Sequence, residues 1–193
     1  MASVVDICNT ALSHLGNKPN IASIEPPEGS AEADYCARFW PIARDMALSQ
    51  GLWGFATKYQ SLNQSVDVVP GWTYKYSLPN DCLTVKSVLP SEGVEPQDYK
   101  LINDKGQRYI VTNTASARIE CVFRETNPMV YSPEFVNAVS YLLASYLAMA
   151  VTGEPKIKEA MFNTYNQMIH FAKITDANQG QKQEAPVEWL ENR

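Results

Sequence analysis

Apolar residues recur at three- and four-residue steps near both ends of the chain, whereas in the middle Trp72, Tyr74, Tyr76 and Leu78 alternate with Thr73, Lys75 and Ser77. The first spacing is that of a helix with one buried stripe; the second is that of a strand with one buried face. The order is therefore helices, strands, helices. Helices at each end can bury their stripes only against something else, so the expected arrangement brings the two ends together and leaves the sheet as an insertion. The fold class this predicts is α+β, mainly α: an antiparallel helical bundle formed by both chain ends with an inserted small antiparallel β-sheet domain. Its expected boundaries are 1–56 and 126–177 for the two parts of the bundle, 57–125 for the sheet, and 178–193 for an extended C-terminal tail.

Start and stop signals place the elements. Ser3 followed by Asp6 fits a helix start, Val4, Ile7, Cys8, Ala11, Leu12 and Leu15 mark its face, and Gly16 suits its left-handed end. Pro19, Pro26 and Pro27 make 17–29 a loop. Ser30 opens a second helix with Tyr35, Phe39, Ile42 and Met46 as its stripe, and Pro41 predicts either a kink or two shorter helices. Leu52, Trp53 and Phe55 form an aromatic exit towards the sheet. There Ile119, Cys121 and Phe123 alternate as in a half-buried strand, and the turn Asp104-Lys105-Gly106 separates the arms of a hairpin. A single antiparallel sheet of about four to six strands is expected. Ser132-Pro133-Glu134 begins the central core helix, in which Phe135, Val136, Val139, Leu142, Leu143, Tyr146, Leu147 and Met149 cover much of the circumference. Gly153 ends it, Pro155 begins the last helix, and Ile157, Met161, Tyr165, Met168 and Ala172 supply a narrower face.

With 193 residues, 45% hydrophobic and 19% charged, the chain has the means for one good core and a satellite sheet and is expected to be soluble and folded. No apolar run approaches the roughly 18 residues of a membrane span, and no secretion signal opens the chain, so synthesis in the cytoplasm is expected. Cys8, Cys36, Cys82 and Cys121 are far apart and read as reduced core thiols. The formal charge of −5, with scattered Lys and Arg, argues against a general nucleic-acid binder.

Chemistry-bearing patterns are sparse. His14 and His170 form no metal-ligand array, and phosphate-cradling or nucleophile-turn motifs are missing from the sequence. No cofactor, metal or catalytic residue is assigned. Glu32, Asp34, Asp45 and Glu134 could converge as a glycosidase pair, but Glu32 and Glu134 sit where acids favour a helix dipole and Asp45 neighbours Arg44. Trp72, Tyr74 and Tyr76, with Lys75, Lys86, Lys100 and Arg108 nearby, raise a base-stacking platform; alternation favours core cover instead. Beyond Asp176 a polar stretch leads to Pro186, Val187, Trp189 and Leu190. Those hydrophobes need a destination, either on the body of the same chain or on another subunit.

The stretches Val5-Asp6-Ile7-Cys8-Asn9 with Ala11-Leu12 and Leu15-Gly16, Ala43-Arg44-Asp45 leading to Trp53 and Phe55-Ala56, and Tyr76 with Leu78-Pro79 and Asp81-Cys82-Leu83 resemble bacteriophage tail tubular protein A, the head-to-tail adaptor family of short-tailed phages. The resemblance runs from the first helix to the last, about residues 1–178, and rests on the order of loose motifs. It implies a helical bundle with a β insertion, assembled as a typically dodecameric ring below the portal protein. Such a ring extends the channel through which packaged DNA passes and carries the tail nozzle protein; the subunit can be monomeric before assembly. It implies a structural virion component of the tail or neck, not an enzyme, with no membrane and no sequence-specific DNA contact. Terminal extensions of such adaptors grip the portal, which makes Pro186, Val187, Trp189 and Leu190 the candidate docking residues. The alternatives are a tail-associated cell-wall hydrolase, a head-completion connector of a long-tailed phage, and a small sheet-based nucleic-acid binder.

Overall fold

The structure, a computed structural model, describes residues 2–18 and 20–179. The first helix, α1 (Val4–His14), starts at a reciprocal pair: Ser3 Oγ accepts the Asp6 amide and the Asp6 carboxylate accepts the Ser3 amide, both at 3.0 Å. It ends at Gly16, whose φ of +77° allows Asn17 N–H to reach Leu12 O at 3.1 Å and Gly16 N–H to reach Ser13 O at 3.0 Å. This double bond pattern satisfies carbonyls that the helix leaves open.

The second helix, α2 (Ala31–Ser49), is capped by Ser30 and runs without interruption through Pro41, whose exposed ring faces away from the core. Its buried stripe differs from the expected one. Ala33, Cys36, Trp40, Ala43, Ala47 and Leu48 face inward, while Ile42 is 53% exposed and Tyr35, Phe39 and Met46 lie on the flanks. Small side chains let the helix backbone approach its neighbour closely, which large ones at the same positions would prevent. The C-terminal turn is closed by Trp53, whose indole N–H donates to Ala47 O and Leu48 O at 3.2 and 3.1 Å.

Helix α3 (Pro133–Val151) is capped by Ser132 and buries ten of its residues against α1, α2 and the last helix, α4 (Pro155–Asn178). It corrects one expectation from sequence. By length and mean hydropathy, 1.4, this helix meets the criterion for a membrane span, but 56% of that window is buried inside the protein. The apolar composition is the one that a central core helix requires. Helix α4 buries only Tyr165, Ile169 and Ala172, and its Asp176 carboxylate accepts the Gly54 amide at 2.9 Å.

Between α2 and α3 lie seven strands, β1 (Thr57–Ser61), β2 (Asn63–Gln64), β3 (Tyr74–Ser77), β4 (Cys82–Leu89), β5 (Tyr99–Asp104), β6 (Gln107–Thr112) and β7 (Arg118–Phe123), and a short 3₁₀ turn at Pro128–Val130. They form two antiparallel sheets where one was expected, in the orders β1-β7-β4 and β2-β3-β6-β5. The β5–β6 hairpin has the expected turn: Lys105 and Gly106 both have positive φ, 50° and 83°, and Asp104 already pairs with Gln107. Strand β7 is buried on both faces, not one.

Among the described residues two apolar clusters result. One contains Ile7 and Leu12 of α1, Trp40 and Leu48 of α2, Leu142 and Leu143 of α3 and Tyr165 and Ile169 of α4, among others. The other lies between the sheets around Tyr76, Val88, Ile110 and Ile119. Within it Cys82 and Cys121 are joined by a disulfide, which corrects the reading of all four cysteines as reduced. The strand pairing places them on adjacent strands, with Cys82 opposite Phe123 and so diagonal to Cys121, a relation that sequence spacing does not reveal. Cys8 and Cys36 are free and buried; the hydrogen bond between the two thiols, then burial, pushes Cys8 far above the usual thiol range, so it is inert.

Candidate functional site

One face of the β1-β7-β4 sheet gathers a connected set of polar side chains around Glu120. Register places Tyr59 of β1 and Ser87 of β4 on either side of Glu120 in the middle strand. A register shift between Val85 and Ser87 then brings two successive residues of β4 to the same carboxylate, as a bulge does. Glu120 Oε1 accepts from Lys86 Nζ at 2.7 Å and from Tyr59 OH at 3.1 Å, and Oε2 accepts from Ser87 Oγ at 3.1 Å. Burial pushes this carboxyl upward, but the bonds from Lys86, Ser87 and Tyr59 and the charge of Lys86 outweigh it and hold it below the ordinary carboxylate value. Two residues away, Arg118 donates to Pro90 O at 3.1 Å and Gly93 O at 2.9 Å, fixing the 90–98 loop over the sheet. An open depression beside it, about 260 Å³, is lined by Tyr59, Ser87, Leu89, Val94, Arg118 and Glu120. A carboxylate held ionised by three donors is a fixed charge and a poor proton donor at neutral pH.

On the other sheet Lys75 is only 2% exposed, although its position in the alternation predicts an outward side chain. Its ammonium donates to Asp104 at 2.7 Å, lies 3.9 Å from Asp67, and sits 4.2 Å above the Tyr109 ring. The Asp104 hydrogen bond raises its pKa. Together with Ser65 N–H donating to Lys75 O at 2.8 Å, these contacts fix the 65–71 loop, from which Val66 and Val68 project 100% and 70% exposed. The aromatic platform is thus taken apart: Tyr76 is buried with its hydroxyl on Thr114 O at 2.9 Å, Tyr74 rests on Tyr76, and Lys75 is committed to Asp104.

The other expected residues are dispersed. Asp45 accepts from Arg44 and Arg124 at 2.8 and 2.7 Å, tying α2 to the chain just after β7. Glu32 is reached by Asn17 Nδ2 at 3.5 Å, Asp34 is exposed in the first turn of α2, and Glu134 occupies the first turn of α3. His14 stacks on Tyr141, ring centroids 3.9 Å apart, and meets Ser140 Oγ at 3.0 Å; burial lowers its pKa. His170 is exposed on α4. Among the described residues no three His, Cys, Asp or Glu side chains gather as a metal site. Pro186, Val187, Trp189 and Leu190 lie outside the described residues.

Sequence reasoning misses the Glu120 cluster and the burial of Lys75. The strand containing Glu120 is legible, yet a single strand's alternation does not say which strands flank it, and those partners supply Tyr59, Lys86 and Ser87. No family model and no curated protein matches the chain.

Proposed function

We propose that the protein is a structural head-to-tail adaptor of a bacteriophage, a virion component that assembles as a ring beneath the portal protein, extends the DNA channel and carries the tail nozzle protein. In this reading the helices of both chain ends form one bundle and the strands are an insertion between them. The observation that supports it most is the single apolar cluster drawing on α1 and α2 as well as α3 and α4, the arrangement that the adaptor resemblance implies. A rigid body of that kind can stand beside copies of itself, one face against a different face of its neighbour, until rotation closes the ring. Exposed apolar residues at the margins of the sheets, Val66, Val68 and Val94, suit contact with such neighbours. Pro186, Val187, Trp189 and Leu190 then dock on the portal as buried anchors.

The test uses the portal protein encoded in the same genome. Purified portal rings are mixed with the full chain, and with a chain lacking 178–193, and the products are weighed by native mass spectrometry. A ring of adaptor copies on the portal with the full chain, and strongly reduced capture with the shortened one, is the expected result. No association of the full chain removes the adaptor reading; undiminished capture of the shortened chain removes the role of the tail.

A further inference from the structure

Helix α4 lies on the outside of the bundle: it packs chiefly on α3 and buries only Tyr165, Ile169 and Ala172 of its 24 residues. A helix so exposed ordinarily carries charges along its outer face. This one does not. From Ala160 to Ala172 the chain has no Asp, Glu, Lys or Arg, although Phe162, Asn163, Asn166, Gln167, His170 and Phe171 all stand exposed there. Formal charge is confined to the ends of the helix, with Lys156, Lys158 and Glu159 before the neutral stretch and Lys173 and Asp176 after it. Depletion of charge from a water-facing surface is the compositional mark of a face that another molecule covers.

The placement of the flanking charges points to a second copy of this chain. At about 100° per residue, Glu159, Phe162, Asn166, His170 and Lys173 fall on one strip of α4, within about 80° of one another. Lys156, Lys158 and Asp176 fall outside that strip, and Asp176 is already bonded to the Gly54 amide. Asn166 stands midway, seven residues from Glu159 and seven from Lys173. An identical helix laid antiparallel across the strip, with Asn166 on the two-fold axis, therefore brings Glu159 of each copy level with Lys173 of the other. Among the described residues neither of these two has an ion-pair partner within its own chain. At the axis Asn166 meets its own counterpart, and a carboxamide both donates and accepts, so the two satisfy each other. A formal charge of −5 makes identical copies repel, and a neutral strip with complementary ends is where they can meet without that cost.

We propose that two copies of the chain associate through an antiparallel, two-fold contact of α4, with Asn166 on the axis and Glu159 of each copy paired with Lys173 of the other. The strip between the charges is about 21 Å long, which on one helix covers far less than the roughly 800 Å² per partner of a standard interface, so the association is weak and reversible. A two-fold contact closes at two copies and does not grow into a ring. It is a resting form of the free subunit, and the proposal stands independently of the adaptor reading.

The experiment follows the full chain, without any partner protein, by sedimentation equilibrium from micromolar to millimolar concentration. The mass is expected to rise from one subunit towards two; a single-subunit mass throughout overturns the proposal. Glu159→Lys and Lys173→Glu should each weaken the dimer several-fold and together restore it, with far-ultraviolet circular dichroism checking that each variant is folded. Loss without restoration in the double variant overturns the pairing, because damage to the fold would not be repaired by a second reversal. Asn166→Cys oxidised with diamide should give a dimer joined from position 166 to position 166, whereas Thr10→Cys, exposed on α1, should stay single. A dimer that forms without that link, or linking that is equal from Thr10→Cys, removes the two-fold arrangement.

Discussion

Glu120 shows how one residue's worth depends on what the fold sets around it. Replaced by Gln it keeps its shape but loses the charge that three donors address, so Glu120→Gln is expected to lower stability by about 1–3 kcal/mol at neutral pH. The pH dependence has a definite sign. The folded-state pKa lies below the ordinary value of 4.5, so the stabilisation is complete above that value and is lost as pH falls through the lowered one. The gap in melting temperature between the parent and the variant should therefore narrow on acidification below pH 4.5, and a constant gap would show that charge is not its source. Gly51 matters for a different reason: a Cβ there would stand 2.7 Å from Trp53 Cε2, and the indole is held by two hydrogen bonds and cannot step aside. Gly51→Ala should cost about 1–3 kcal/mol, read by chemical denaturation. Neither position is evident in the sequence, where Gly51 reads as an ordinary loop residue. Its constraint comes from a ring two residues away that bends back to close α2.

Elements whose instructions are local are legible in the sequence, and those defined by partners are not. The capping pair Ser3 and Asp6, the positive-φ Gly16, the Ser132-Pro133 start and the Lys105-Gly106 turn all act within a few residues, and each stands where the sequence places it. The α2 stripe and the division into two sheets depend on what lies opposite. A stripe of Ala33, Cys36, Ala43 and Ala47 carries little hydrophobic signal beside Phe39 and Ile42, yet it is the face that fits against α3. Pro41 within that helix denies Ala37 O its usual amide partner, so Pro41→Ala is expected to raise stability by up to about 3 kcal/mol, measured as a shift in denaturation midpoint. A loss instead would mean that the fixed φ of the proline contributes more to the helix than the missing hydrogen bond costs. Between β4 and β7 the Cys82–Cys121 link closes a loop with a sequence separation of 39 residues. Such a closure contributes about 2–4 kcal/mol, so Cys82→Ser/Cys121→Ser should unfold at correspondingly lower denaturant, and a reductant should affect the parent but not the variant.

At the scale of the whole molecule, the question is whether helices and sheets behave as one unit, and β7 bears most directly on it. Its Val122 belongs to the apolar cluster of the helices, while Ile119, Cys121 and Phe123 belong to that of the sheets. Around it, Phe123 N–H donates to Ala56 O at 2.9 Å and Arg124 pairs with Asp45 of α2 at 2.7 Å, so the same short stretch is bonded to the helical side through backbone and side chain. Structures joined by a shared, buried strand lose both cores together when that strand departs. Thermal unfolding followed by far-ultraviolet circular dichroism, which reports mostly helix here, and by near-ultraviolet signals of the tyrosine-rich sheets should therefore give one coincident transition. Val122→Ala removes two methyl groups from the helical cluster only, at a cost of about 1–3 kcal/mol, and should lower both signals' midpoints equally. Separate midpoints in the parent, or a shift of the helical signal alone in the variant, would show the sheets to be an independently folding attachment. That outcome would also weaken the adaptor proposal, because a ring subunit that transmits load from portal to tail needs its inserted sheets and its helices to move as one body.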